Sequence, residues 1–180
     1  MDTDVESLRF DAWREDEAPP GGMPGRRYVT VNELLVRLGS FGLGLTWRVS
    51  CDDGWERLAE IEKRAETGVG TLELLALLPA ALQAVDGDFV GYRGAERVLV
   101  LREFDSTSWE LLTADPWVLG EIRRCFPDAE PLAMELWEKA PWWEEPLPEG
   151  WGDGRRPPDR DPRPRRGRAL ATGSGRWRRG

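Results

Sequence analysis

The sequence predicts an α+β fold. It reads as a single small domain with about four strands in an antiparallel or mixed sheet, helices on one face, and a disordered C-terminal tail. Three observations predict this. Residues 43–51 alternate apolar and polar side chains, the period of a strand with one buried face. Three more apolar runs follow at hairpin spacing between 88 and 113. Around them, Thr30, Asp53 and Asp115 each precede a stretch with helical spacing.

Residues 1–27 read as a flexible acidic arm. Val5, Leu8 and Ala12 fall near one helical face, with Phe10 and Trp13 close by, before Ala18-Pro-Pro-Gly-Gly-Met-Pro-Gly25 ends any helix. The globular domain spans 28–127. Thr30-Val-Asn-Glu33 has capping-box spacing, Leu34, Leu35 and Leu38 continue the helix, and Gly39 stops it. In the strand that follows, Leu43, Leu45, Trp47, Val49 and Cys51 share one face.

Asp53-Gly-Trp-Glu56 opens a second helix, in which Trp55, Leu58, Ile61 and Ala65 recur until Gly68. Residues 71–85 form an almost wholly apolar third helix, expected at the centre of the core and interrupted at Pro79, which lacks the N–H a helix needs. Strands at 88–93, 97–104 and 108–113 have tight joints, so they form an antiparallel meander. Asp115-Pro116 starts the last helix, with Trp117, Val118, Ile122 and Phe126 as its inner stripe and Pro127 as its end.

Two segments lie beyond the domain. Residues 128–151 are acidic and rich in Trp and Pro, and Trp137, Trp142, Trp143 and Trp151 stand among Glu144, Glu145 and other carboxylates. One reading makes these side chains a partner-binding set, since large aromatics give wide contact at low entropic cost. The other has the indoles pin the segment back onto the domain. Residues 152–180 are Arg- and Pro-rich with almost no aliphatic side chains, which predicts disorder. Arg163, Arg165, Arg166, Arg168, Arg176, Arg178 and Arg179 are candidate phosphate contacts, and Trp177 can stack on a base. Loose docking onto the chain's own acidic segment and a plain solvated tail are the alternatives.

Charge is sharply divided. Residues 1–150 carry 30 Asp and Glu against 15 Lys and Arg, a net of −15, whereas 151–180 carry 10 Arg against 3 Asp, a net of +7. The body therefore repels phosphate, and nucleic acid is accessible only to the tail. Histidine is absent, which excludes Ser-His-Asp and Cys-His catalysis within the chain. Cys51 and Cys125 show no metal-site spacing and read as small buried residues or one disulfide. No cofactor or metal is expected. The acidic start lacks the basic and apolar character of a targeting signal, and the longest apolar run, 74–82, is too short for a membrane. A soluble cytoplasmic protein without a membrane partner is expected.

Each candidate chemical site has a structural explanation. Asp52, Asp53, Asp86, Asp88 and Asp105 crowd the turns and can bind a cation or act as acid and base, yet each suits a cap or turn. Ser40-Phe-Gly-Leu-Gly44 follows a helix, where a phosphate cradle leads into one. Ser106, Thr107 and Ser108 have no base, and Cys125 sits at the negative end of a helix. Three function classes remain. The first is a non-catalytic module whose acidic surface binds a basic protein. Its size and charge resemble those of immunity, antitoxin or regulatory proteins in physical type alone. The second is a nucleic-acid-associated protein tethered by its tail, and the third a carboxylate-based enzyme. The first is the expectation carried forward.

Overall fold

The computed structural model describes residues 5–15, 25–51, 56–83, 85–134 and 137. In chain order the strands and helices are β1 (Glu6–Asp11), β2 (Trp13–Glu15), β3 (Arg26–Tyr28), α1 (Val31–Arg37), α2 (Gly39–Leu43), β4 (Thr46–Cys51) and α3 (Glu56–Ala65). They continue with β5 (Val69–Gly70), α4 (Thr71–Leu77), β6 (Asp86–Arg93), β7 (Glu96–Phe104), β8 (Ser108–Thr113), α5 (Pro116–Cys125) and β9 (Glu130–Pro131). Among the described residues the main sheet has seven strands in the order β5-β4-β6-β7-β8-β1-β9, and β2 and β3 form a separate ribbon. Every pairing is antiparallel. The fold is α+β as expected, but the sheet is larger than four strands.

The size difference comes mainly from the N-terminal stretch. Where the sequence predicts an arm, Ser7-Leu8-Arg9-Phe10 alternates as a strand. Leu8 pairs with Leu111 and Phe10 with Trp109 of β8, and β9 adds on the other side. Leu8 and Phe10 enter the core, so the hydrophobic effect supplies a reason for the pairing. The ribbon is tied in through the Trp13 indole, whose Nε1 donates to the Ser106 carbonyl at 2.8 Å.

Local signals place several elements. Thr30 Oγ1 accepts the Glu33 N–H at 3.3 Å and caps α1. Asp115 Oδ1 accepts from Trp117 N and Val118 N at 2.9 and 3.1 Å, with Pro116 at the start of α5. The meander β6-β7-β8 forms as the hairpin joints predict, and Asp105 and Ser106 both take positive φ in its second turn. Helix α4 stops at Leu77, just before Pro79. Only part of the 71–85 stretch is central: Leu74, Leu78 and Leu82 are buried, whereas Leu72 is 70% exposed. Gly39 ends α1 with φ +50 but opens α2, so Leu43 belongs to that short helix and not to the strand.

The two sheet faces differ. Buried residues of α1, α3, α4 and α5 share one core with Trp47, Val49, Phe89, Leu101, Trp109 and Leu111 of the sheet. Several of its interior polar groups are matched: Trp47 Nε1 donates to Thr71 Oγ1 at 2.8 Å, the Thr71 hydroxyl donates to the Gly42 carbonyl, and Trp109 Nε1 donates to the Val29 carbonyl at 2.7 Å. The opposite face carries a smaller apolar cluster of Val90, Tyr92, Val100 and Leu112, on which Leu132, Met134 and Trp137 pack.

Candidate binding surface

The second face begins with a row of alternating charge. Asp88, Arg102, Glu110 and Arg9 stand directly opposite one another across β6, β7, β8 and β1, and Glu130 of β9 is next to Arg9 in register. Arg102 bonds Asp88 at 2.8 Å and approaches Glu110 at 3.6 Å, while Arg9 pairs with Glu110 from the other side. Such cross-strand pairs stabilise a sheet. They also occupy Asp88, one of the turn carboxylates.

The other candidate carboxylates have structural positions or lie outside the described residues. Asp86 Oδ1 accepts the Asp105 N–H at 3.1 Å, which holds the β7–β8 turn against the start of β6. Asp52 and Asp53 lie outside the described residues, among which no group of three or more metal-ligating side chains occurs. Of the turn hydroxyls, that of Thr107 donates to the Phe104 carbonyl at 3.1 Å. No described helix is long and apolar enough to cross a membrane.

Both cysteines are free. Cys125 Sγ donates to Glu121 at 3.3 Å and accepts from Arg37 and Arg124 at 3.2 and 3.4 Å. The Arg124 hydrogen bond, followed by that of Cys125, holds the Glu121 carboxyl below its ordinary value. Near the other end of the ribbon, a cleft of about 580 Å³ is lined by Arg9, Asp11, Trp13, Arg26, Asp128 and Glu130 among others. Its charges are engaged: Arg14 bonds Asp128 at 2.9 Å, Asp128 accepts the Asp11 N–H at 2.8 Å, and Arg26 lies 3.8 Å from Asp11.

Among the described residues Phe104 and Trp117 are the exposed large aromatic side chains, and Trp117 is one the sequence reading turns inward. Trp117 is 51% exposed, at the first turn of α5. Its indole stacks against Phe41 of α2 with centroids 6.4 Å apart, and the Arg93 guanidinium lies 5.1 Å from the Phe41 centroid. Leu43, 56% exposed, ends the same short helix. A signal for this orientation exists in the sequence. Val118, Leu119, Ile122 and Phe126 make the buried stripe, and Trp117, Glu121 and Arg124 recur at helical spacing on another side.

Trp137, by contrast, is fully buried. Its Nε1 donates to Ser7 Oγ at 2.5 Å, and its ring lies over Arg102, 4.5 Å from Cζ to centroid. Trp142, Trp143, Glu144, Glu145, Trp151 and the tail arginines, Arg163 to Arg179, lie outside the described residues. No family model, curated protein or solved structure matches this chain.

Proposed function

We propose that the chain is a non-catalytic protein-binding module whose partner presents a basic surface, as immunity, antitoxin or regulatory proteins do. The observation that carries this reading is the half-exposed Trp117, backed by Phe41 and followed one turn later by Glu121, on a body of net charge −15. An indole held on a rigid support is the kind of anchor that dominates interfaces. The carboxylate surplus of the body as a whole speeds encounter with a cationic partner and disfavours an anionic one.

The test uses the full chain and its Trp117→Ala variant as baits in the native cell extract, with elution by a salt gradient. The reading expects a basic protein bound at low salt, released as salt rises, and recovered at least tenfold less on the variant. Equal recovery by both baits would remove Trp117 from the interface. Recovery of nucleic acid in place of protein would favour binding through the arginine tail.

A further inference from the structure

The second exposed aromatic ring, Phe104, marks a different part of the surface from Trp117. It is 48% exposed, with the Arg9 guanidinium 5.7 Å from its centroid. Phe104 of β7 stands opposite Ser108 of β8, and Ser108 opposite Asp11 of β1. Two strand spacings, about 10 Å, therefore lead from this ring to the cleft that Ser108 and Asp11 line.

That cleft, about 580 Å³ in volume, already seats a guanidinium. Arg26 of β3 places its Cζ 5.8 Å from the Trp13 ring centroid and its Nη2 3.8 Å from Asp11 Oδ2. Both contacts are long and the side chain is 63% exposed, so they hold Arg26 only loosely. The seat itself is firm. The Trp13 indole bonds the Ser106 carbonyl at 2.8 Å and meets Tyr28 edge-on, with centroids 5.5 Å apart. Asp11 Oδ1 accepts the Trp13 N–H at 2.7 Å, which fixes the carboxylate beside the ring.

Charge around the seat favours a cation. Arg9 is bonded to Glu110 and Arg14 to Asp128. Glu130 is next to Arg9 in register, yet Arg9 is turned to Glu110. Two carboxylates of the wall, Asp11 and Glu130, are thus left to the loosely held Arg26. A ring face beside carboxylates attracts a cation through both its quadrupole and their charge. Arginine suits such a seat better than lysine, because its planar group stacks on a ring and bonds carboxylates at two points.

We propose that this cleft takes an arginine side chain of the basic partner, which displaces Arg26 and lies over Trp13 between Asp11 and Glu130, while the segment that carries it covers Phe104. This rests on the reading of a basic partner but not on Trp117.

Titration of the full chain with an acetyl-Gly-Arg-Gly-amide peptide at low salt, followed by NMR at the Trp13 indole N–H, tests the assignment. The resonance is expected to shift with this peptide and to stay in place with its citrulline counterpart, which has a similar shape without the charge. Arg26→Ala opens the seat and is expected to bind the arginine peptide at least threefold more tightly. Glu130→Gln, at an exposed position of β9, is expected to bind it at least threefold more weakly. No shift, or an equal shift with citrulline, would overturn the site. So would an affinity that Arg26→Ala fails to raise or that Glu130→Gln leaves unchanged. Because the probe is a peptide, this outcome is separate from the capture of a protein from extract through Trp117.

Discussion

Arg102 and Glu110 face each other directly across β7 and β8, with Arg102 Nη1 3.6 Å from Glu110 Oε2. Glu110 is only 3% exposed and also receives Arg9, so one buried carboxylate neutralises guanidiniums from two neighbouring strands. Without Glu110, Arg102 keeps its bond to Asp88 and Arg9 is already more than a third exposed. Glu110→Ala is therefore expected to cost about 1–3 kcal/mol, the worth of hydrogen bonds to a charged group, read as a fall in the urea midpoint. Asp88→Ala is expected to cost less, since that side chain is 20% exposed against 3% for Glu110.

Thr71 supports the larger core through one hydroxyl. It accepts from the Trp47 indole and donates to the Gly42 carbonyl, and it is buried. Thr71→Val keeps the shape but leaves the Trp47 indole N–H unsatisfied, at about 1–3 kcal/mol, while the Gly42 carbonyl still accepts the Leu45 N–H. Thr71→Ser keeps the hydroxyl and loses only a methyl. Thermal unfolding of the two variants should therefore separate them, with the Val variant the less stable.

Gly91 allows β6 to pass close to β4. A Cβ there would meet Leu45 Cδ1 at 3.0 Å and the Trp47 ring at 3.2 Å. These are packed core side chains, so Gly91→Ala is expected to destabilise by about 1–3 kcal/mol through overpacking. Equal denaturation midpoints for the variant and the unaltered chain would show that Trp47 gives way freely.

Ser106 lies in the β7–β8 turn at φ 53, a conformation L residues rarely adopt. Its main-chain N–H donates to the Val85 carbonyl at 3.2 Å, and its carbonyl accepts from Trp13 Nε1. Both contacts survive replacement by glycine. Ser106→Gly is expected to raise stability by about 0.5–1 kcal/mol, the relief of left-handed strain less the added chain entropy.

Acid should weaken the fold through Asp128 and Glu33. Burial pushes both carboxyls up. The Asp11 N–H and Arg14 outweigh it at Asp128, and Arg27 and Arg37 outweigh it at Glu33, so both lie below their ordinary values of 3.8 and 4.5. A depressed folded-state value gives stability that is complete above the ordinary value and is lost as pH falls through the depressed one. The denaturation midpoint should thus decline as pH drops below about 4. Asp128→Asn together with Glu33→Gln should flatten that decline while lowering stability at neutral pH.

Elements set by nearby chemistry were legible in the sequence. The Thr30 and Asp115 caps, the Pro79 break and the β6-β7-β8 meander depend on residues within a few positions of one another, so their causes are visible in a short window. The candidate surface was legible only in its residue types. Phe41 lay in a stretch that reads as a connection, and Trp117 was counted with the inner stripe although its spacing to Glu121 and Arg124 sets it on another side of α5.

What the sequence by itself determined is the class of fold, the local starts and stops, and the split between an acidic body and a basic end. Tertiary structure decided which surfaces meet. Leu8 and Phe10 fit a strand only because Leu111 and Trp109, about a hundred residues away, complete the pairing. Trp137 is buried and Trp117 exposed because Ser7 and Arg102 receive the first indole, whereas the second lies over Phe41 at the surface. Period and composition act along the chain, while burial depends on partners brought together from distant positions, and a single sequence does not display those partners.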